Sequence, residues 1–155
     1  MSKAVTVDTN LLLLLIVGLT NADYISKHKR LVDYSRQDFL LLTETLDRSG
    51  KIILTPNTIT ETSNWIDHIR DPARSEIRQV FNVFIANQSE VYVPSANAIS
   101  RKEHVELGVA DNVLLEIAKR ALLISSDRDL CIAAAISDYS YLSFDFLRQE
   151  SQKEL

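Results

Sequence analysis

Four acidic residues stand where chemistry is possible: Asp8, Glu61, Asp111 and Asp127. Asp8 directly follows the β-branched apolar run at residues 4–7, and Asp127 closely follows a second apolar run at 121–125. Glu61 lies early in a helix opened by Thr55-Pro56, and Asp111 lies at the start of a helix expected over 110–120. Carboxylates gathered at one point repel one another and resist ionising together. Hard divalent cations with oxygen ligands remove that cost, so the expected cofactor is Mg²⁺ or Mn²⁺. Zinc is disfavoured, because His28, His68 and His104 show no ligand spacing and Cys131 is the sole cysteine. Asn10, two residues after Asp8, is expected to orient a carboxylate from the second shell of such a site, and Asp129 is either an auxiliary ligand or a helix cap.

Only a fold can bring four such distant segments together. Short apolar runs at 4–7, 51–54, 90–93, 121–125 and 139–143 read as strands. Between them, helical periodicity is expected at 11–19, 37–48, from Thr55-Pro56 through Ile69, from Asp71-Pro72 through Ile85, at 110–120 and at 127–136. Residues 21–35 read as a short helix and loop, 95–106 as irregular helix, and the end of the chain as a short tail. Strands that alternate with helices imply an α/β fold with a parallel sheet covered on both faces. Ligands of open α/β sheets bind beyond the carboxyl ends of the strands, where Asp8 and Asp127 fall. The N-terminal ends of the returning helices, with Glu61 and Asp111, come back to the same edge. Each acid taken singly can cap a helix, but capping does not explain why all four should meet on one rim.

With 155 residues, the chain suits one domain spanning 1–155 that folds without disulfides or a structural metal. The single cysteine suits a reducing, cytoplasmic setting. The leucine run at 11–19 is half the length of a membrane span, and acid rather than basic charge precedes it. No membrane role is therefore expected. The net charge of −4 excludes a protein that holds nucleic acid by bulk positive charge alone.

Taken in order, Val7-Asp8-Thr9-Asn10, the stretch from Leu54 to Glu61, Gly108-Val109-Ala110-Asp111, and the stretch from Leu123 to Leu130 resemble the four motifs of the PIN-domain nucleases. In the fourth, Ser125 stands where threonine is more usual. The resemblance runs from Val5 to about Phe144. It implies a single-domain α/β/α sandwich with a five-stranded parallel sheet in order 3-2-1-4-5. It also implies a metal-dependent endoribonuclease whose metal is held by Asp8, Glu61, Asp111 and Asp127, and whose products carry 5′-phosphate and 3′-hydroxyl ends. Many bacterial members are toxins paired with an antitoxin protein. This chain is somewhat longer than the compact toxins, with the extra length at 21–35 and 71–88.

Around the acids, Asn64 and Trp65 follow Glu61 by three and four positions, so they share its side of the helix. Trp65 can stack on a base or pack in the core. Arg74 and Arg78, and the basic run from Lys27 to Arg30, are either RNA contacts or solvated faces. The apolar stripe of Ile77, Phe81 and Phe84 is a candidate homodimer face. The alternatives are a structure-specific DNase and a non-catalytic nucleic-acid-binding module of the same fold. A phosphatase of the haloacid-dehalogenase type is disfavoured, because Asn10 stands where that chemistry needs a second aspartate.

Overall fold

A computed structural model describes residues 3–100 and 106–154. Its centre is a helix. Asp8 caps α1 (Thr9–Thr20) by accepting the Leu11 N–H at 3.0 Å. Every residue from Leu11 to Gly18 is buried, so α1 is apolar on all sides, as a helix enclosed by others must be. It is wrapped by α2 (Arg36–Asp47), α3 (Pro56–Ile66), α4 (Ala73–Ala86) and a 3-10 helix at Ala22–Lys27. Each fully buried leucine or isoleucine contributes roughly 1.5–3 kcal/mol, which makes this one element a large share of the core. Gly18 allows the closest approach: a Cβ there would overlap the Phe39 ring on α2.

Strand β1 (Val5–Val7) is buried on both faces and pairs in parallel with β4 (Leu122–Ser125), Val7 opposite Ile124. On its other side β4 pairs in parallel with β5 (Tyr141–Ser143). Strands β2 (Ile53–Leu54) and β3 (Ser89–Glu90) pair with each other, also in parallel. The chain is thus α/β with parallel pairing, but the single five-stranded sheet in order 3-2-1-4-5 is not present. There are instead a three-stranded sheet, β1-β4-β5, and a separate two-stranded sheet, β2-β3. The two meet at one isolated parallel bridge, Val5 to Ile52. Beyond that bridge a side chain takes up the contact: the Thr6 hydroxyl donates to the Ile53 carbonyl at 2.9 Å.

Two further expectations change. The chain ends in a helix rather than a tail: α8 (Phe144–Lys153) is capped by Ser143 and anchored by the fully buried Phe144. Its Arg148 donates to Asp38 on α2 at 3.1 Å and to the Asp33 carbonyl at 2.7 Å. The Ile77–Phe81 stripe of α4 is also spent internally. Ile77 and Phe81 are buried and Phe84 packs against the same core, so this face is not free for a second copy. The remaining helices are α5 (Ser95–Ala98), α6 (Val109–Ala118) and α7 (Arg128–Ile136), with a second 3-10 helix at Lys29–Leu31. The helix expected over 95–106 is observed as α5 for its first part, and 101–105, with His104, lie outside the described residues. Among the described residues no helix is long and apolar enough to cross a membrane.

Candidate active site

Strands β1 and β4 lie side by side, so the residues that follow them emerge together. Asp8 is buried, and both of its oxygens are engaged. Oδ1 takes the α1 cap bond, while Oδ2 accepts the Ser125 hydroxyl at 2.5 Å and the Ser126 N–H at 2.8 Å. Burial pushes the Asp8 carboxyl above the ordinary aspartate range, its hydrogen bonds work in the opposite direction, and the Asp127 charge adds to the rise. Asp127 caps α7 by accepting the Leu130 N–H at 3.0 Å, and its own N–H donates to Ser125 Oγ at 2.9 Å. Ser125 therefore links the two aspartates.

Asp111 is placed differently. It lies in the first turn of α6, whose cap position is Gly108 and has no side-chain bond. Its carboxyl is pushed up to about 6, first by desolvation and then by the charges of Asp127, Asp8 and Glu61. The other three predicted acids therefore all lie near enough to raise Asp111. Glu61 comes from the first half of α3, which Thr55 caps and Pro56 opens. Among the described residues, neither Glu61, nor Asp111, nor Asp127 Oδ2 has a hydrogen-bonding or ionic partner.

The donors on offer are all carboxylate oxygens, which fits a hard divalent cation in kind. As the side chains stand, no group of three or more His, Cys, Asp or Glu among the described residues is gathered closely enough to hold an ion. Cys131 is no nucleophile: it lies buried behind the rim, burial pushes its thiol up to about 11, and its Sγ contacts the Ser125 carbonyl at 3.7 Å.

The supporting residues differ from expectation. The Asn10 amide makes no hydrogen bond to a carboxylate among the described residues, and Ser125 and Ser126 take that part. Asp129 is exposed in the first turn of α7, does not cap it, and is not among the charges acting on Asp111. Tyr34 approaches from the far side. Its ring is tilted against Phe144, the Arg148 guanidinium lies 5.0 Å from its centroid, and burial pushes its hydroxyl above the ordinary tyrosine range while Ser126 works in the opposite direction. The sequence carried a signal for the serines, which follow a strand and precede a capping aspartate, but none for Tyr34.

Beside Glu61 a shallow groove of about 470 Å³ is lined by Asn57, Thr60, Asn64 and Tyr92. Asn64 therefore sits where expected, and Tyr92, 73% exposed, is an aromatic face that the sequence did not single out. Trp65 is half-buried against the core, and the Arg30 guanidinium covers one ring face 3.6 Å from its centroid. Arg74 pairs with Asp71 at 2.8 Å, and Arg78 pairs with Asp67. Compared with known proteins, the sequence matches no protein-family model and no curated protein.

Proposed function

We propose that this chain is a metal-dependent endoribonuclease of the PIN type, with Asp8, Glu61, Asp111 and Asp127 as the metal-binding acids. The observation that carries the reading is the electrostatic coupling of Asp111 to the other three acids, in a first turn where it serves no cap. Carboxylate repulsion costs stability and here supports no structural contact, so the cluster is best understood as a site awaiting positive charge. Bound Mg²⁺ or Mn²⁺ supplies charge neutralisation at the phosphate and a more acidic water.

The chain's own residues divide the remaining work. Asp8 is fixed by Leu11, Ser125 and Ser126, and Asp127 by its cap bond, so these two form the rigid side of the site. Glu61 and Asp111 keep their oxygens open. The Asp111 carboxyl, pushed up to about 6, must give up its proton to bind an ion, so metal binding there should weaken as pH falls below neutral. Tyr92 and Asn64 offer a stacking face and an amide to a base lying in the groove beside Glu61. Overall, water adds across the P–O3′ bond: its oxygen joins phosphorus and a proton goes to the departing O3′. The products carry 5′-phosphate and 3′-hydroxyl ends.

In this reading the protein acts in the cytoplasm on RNA, and an antitoxin protein is the regulatory partner to seek. The test uses single-stranded RNA and DNA of the same sequence, incubated with Mg²⁺, Mn²⁺ or EDTA, with product ends mapped. RNA cleavage that needs the metal and is lost in Asp111→Asn and Glu61→Gln is the expected result. DNA cleavage alone favours a structure-specific DNase, binding without cleavage favours a non-catalytic module, and cleavage that persists in EDTA rejects the metal site.

A further inference from the structure

Two segments take no part in the acid rim, yet they face each other. On one side lie the 3-10 helices at Ala22–Lys27 and Lys29–Leu31, and on the other the α3–α4 junction. Between them runs an open groove of about 830 Å³. Its charges are Lys27, Lys29, Arg70 and Arg74 against Asp67 and Asp71. Both acids are already engaged, Asp67 by Arg78, and Asp71 by Arg74 and Ser75. Lys27, Lys29 and Arg70 are exposed and have no acidic partner among the described residues. A chain of net charge −4 thus collects an uncompensated positive surface in one channel.

The groove is built firmly. The Tyr24 hydroxyl donates to Glu76 Oε2 at 2.6 Å and ties one wall to α4. His28 is fully buried beneath it. Its Nδ1 accepts the Arg30 N–H at 3.1 Å, so Nε2 carries the proton donated to the Trp65 carbonyl at 2.9 Å. Its ring stacks on His68, which lines the groove.

The groove is also joined to the rim. Glu61 and Asn64 lie on α3, and His68 stands in the turn that directly follows it. We propose that this groove holds the phosphodiester backbone of single-stranded RNA a few nucleotides away from the bond cut at the acid rim. The proposal rests on the ribonuclease reading and adds to it a second anchoring point, built by the 3-10 helices and the α3–α4 junction.

The test is binding of labelled oligouridylates, three and twelve nucleotides long, to the full chain carrying Asp111→Asn in Mg²⁺, followed by anisotropy. Adding Lys27→Gln, Lys29→Gln and Arg70→Gln together should weaken the twelve-mer by at least about tenfold and lower its salt slope by about 2, as expected for three lost phosphate contacts on a single strand. The trimer should bind with little change. Arg70→Gln alone should lower the slope by about 0.7, which guards against a misfolded triple variant, as does an unchanged thermal melt. Equal twelve-mer affinity before and after the substitutions, with the wild-type chain cutting RNA, overturns the groove while leaving the ribonuclease reading intact. A wild-type chain that neither binds nor cuts RNA overturns both. Selective loss of polyglutamate binding, with RNA binding kept, assigns the groove to an acidic protein segment and also overturns the proposal.

Discussion

The rim holds two kinds of carboxylate. Asp8 and Asp127 begin their helices and accept backbone N–H groups, so the fold alone accounts for their presence. Glu61 and Asp111 ride within the first half of theirs, accept nothing among the described residues, and Asp111 bears the repulsion of the other three. The first pair shows how a site is anchored. The second pair has no such structural duty among the described residues, and it is on this pair that the proposed metal site rests. If this division is real, the two pairs respond in opposite ways to mutation, metal and acid.

The largest effect is expected from Asp8→Ala. It removes the α1 cap, worth about 0.5–2 kcal/mol, and leaves the Ser125 and Ser126 donors unmatched at about 1–3 kcal/mol. A loss of about 2–4 kcal/mol in urea unfolding is expected. A variant as stable as wild type would mean that Asp8 is held no more tightly than Asp111.

Next comes metal. At a free Mn²⁺ concentration about a hundredfold above its dissociation constant, wild type should gain about 2.7 kcal/mol, and Asp111→Asn distinctly less. Equal gains in the two proteins would remove Asp111 from the metal-binding set.

Asp111→Asn itself should unfold at or above the wild-type temperature in metal-free buffer at pH 7. The native carboxyl titrates at about 6 against an ordinary 3.8, so the folded state holds the proton more tightly and loses stability as pH rises between those values. Allowing for solvent screening, the substitution should recover about 1–2 kcal/mol at pH 7 and flatten that part of the pH profile. A strongly destabilised Asp111→Asn would show instead that the residue supports α6.

The smallest effect lies away from the rim and has the opposite sign. Burial lowers the His28 pKa below its ordinary 6.5. Its contribution is therefore complete above pH 6.5 and is lost as pH falls through the lowered folded value. Thermal melts from pH 7 to pH 5 should show this acid loss in Asp111→Asn, where the opposing slope of the rim is reduced. A profile without it would mean that burial does not lower the His28 pKa in the folded chain.

What the sequence disclosed follows physical range. The acids could be read because each sits at a junction of local signals: a β-branched run before Asp8, Thr55-Pro56 before Glu61, and a strand before Asp127. The α1 leucines could be read because burial on all sides leaves an unbroken apolar run. The break between the two sheets could not, because apolar strands announce burial and not which strand they pair with. Helix α8 was hidden by its polarity, since Phe144 is its only buried residue. The roles of Tyr34, Ser126 and Arg148 arise from contacts between segments far apart in the chain, which no local pattern encodes.

The enclosure of α1 has a consequence in time as well as in space. Amides in a helix with no solvent-facing side exchange with water only when the whole molecule opens, whereas frayed ends and loops exchange through local motions. Asp8 is attached to the first turn of that helix, so it shares the lifetime of the folded chain rather than that of a loop. Deuterium uptake along Leu11–Val17 should therefore slow uniformly when an ion binds at the rim, although none of those side chains can touch it. A methyl group removed from the middle of α1 should likewise shorten the residence of that ion, by raising how often its anchor lets go.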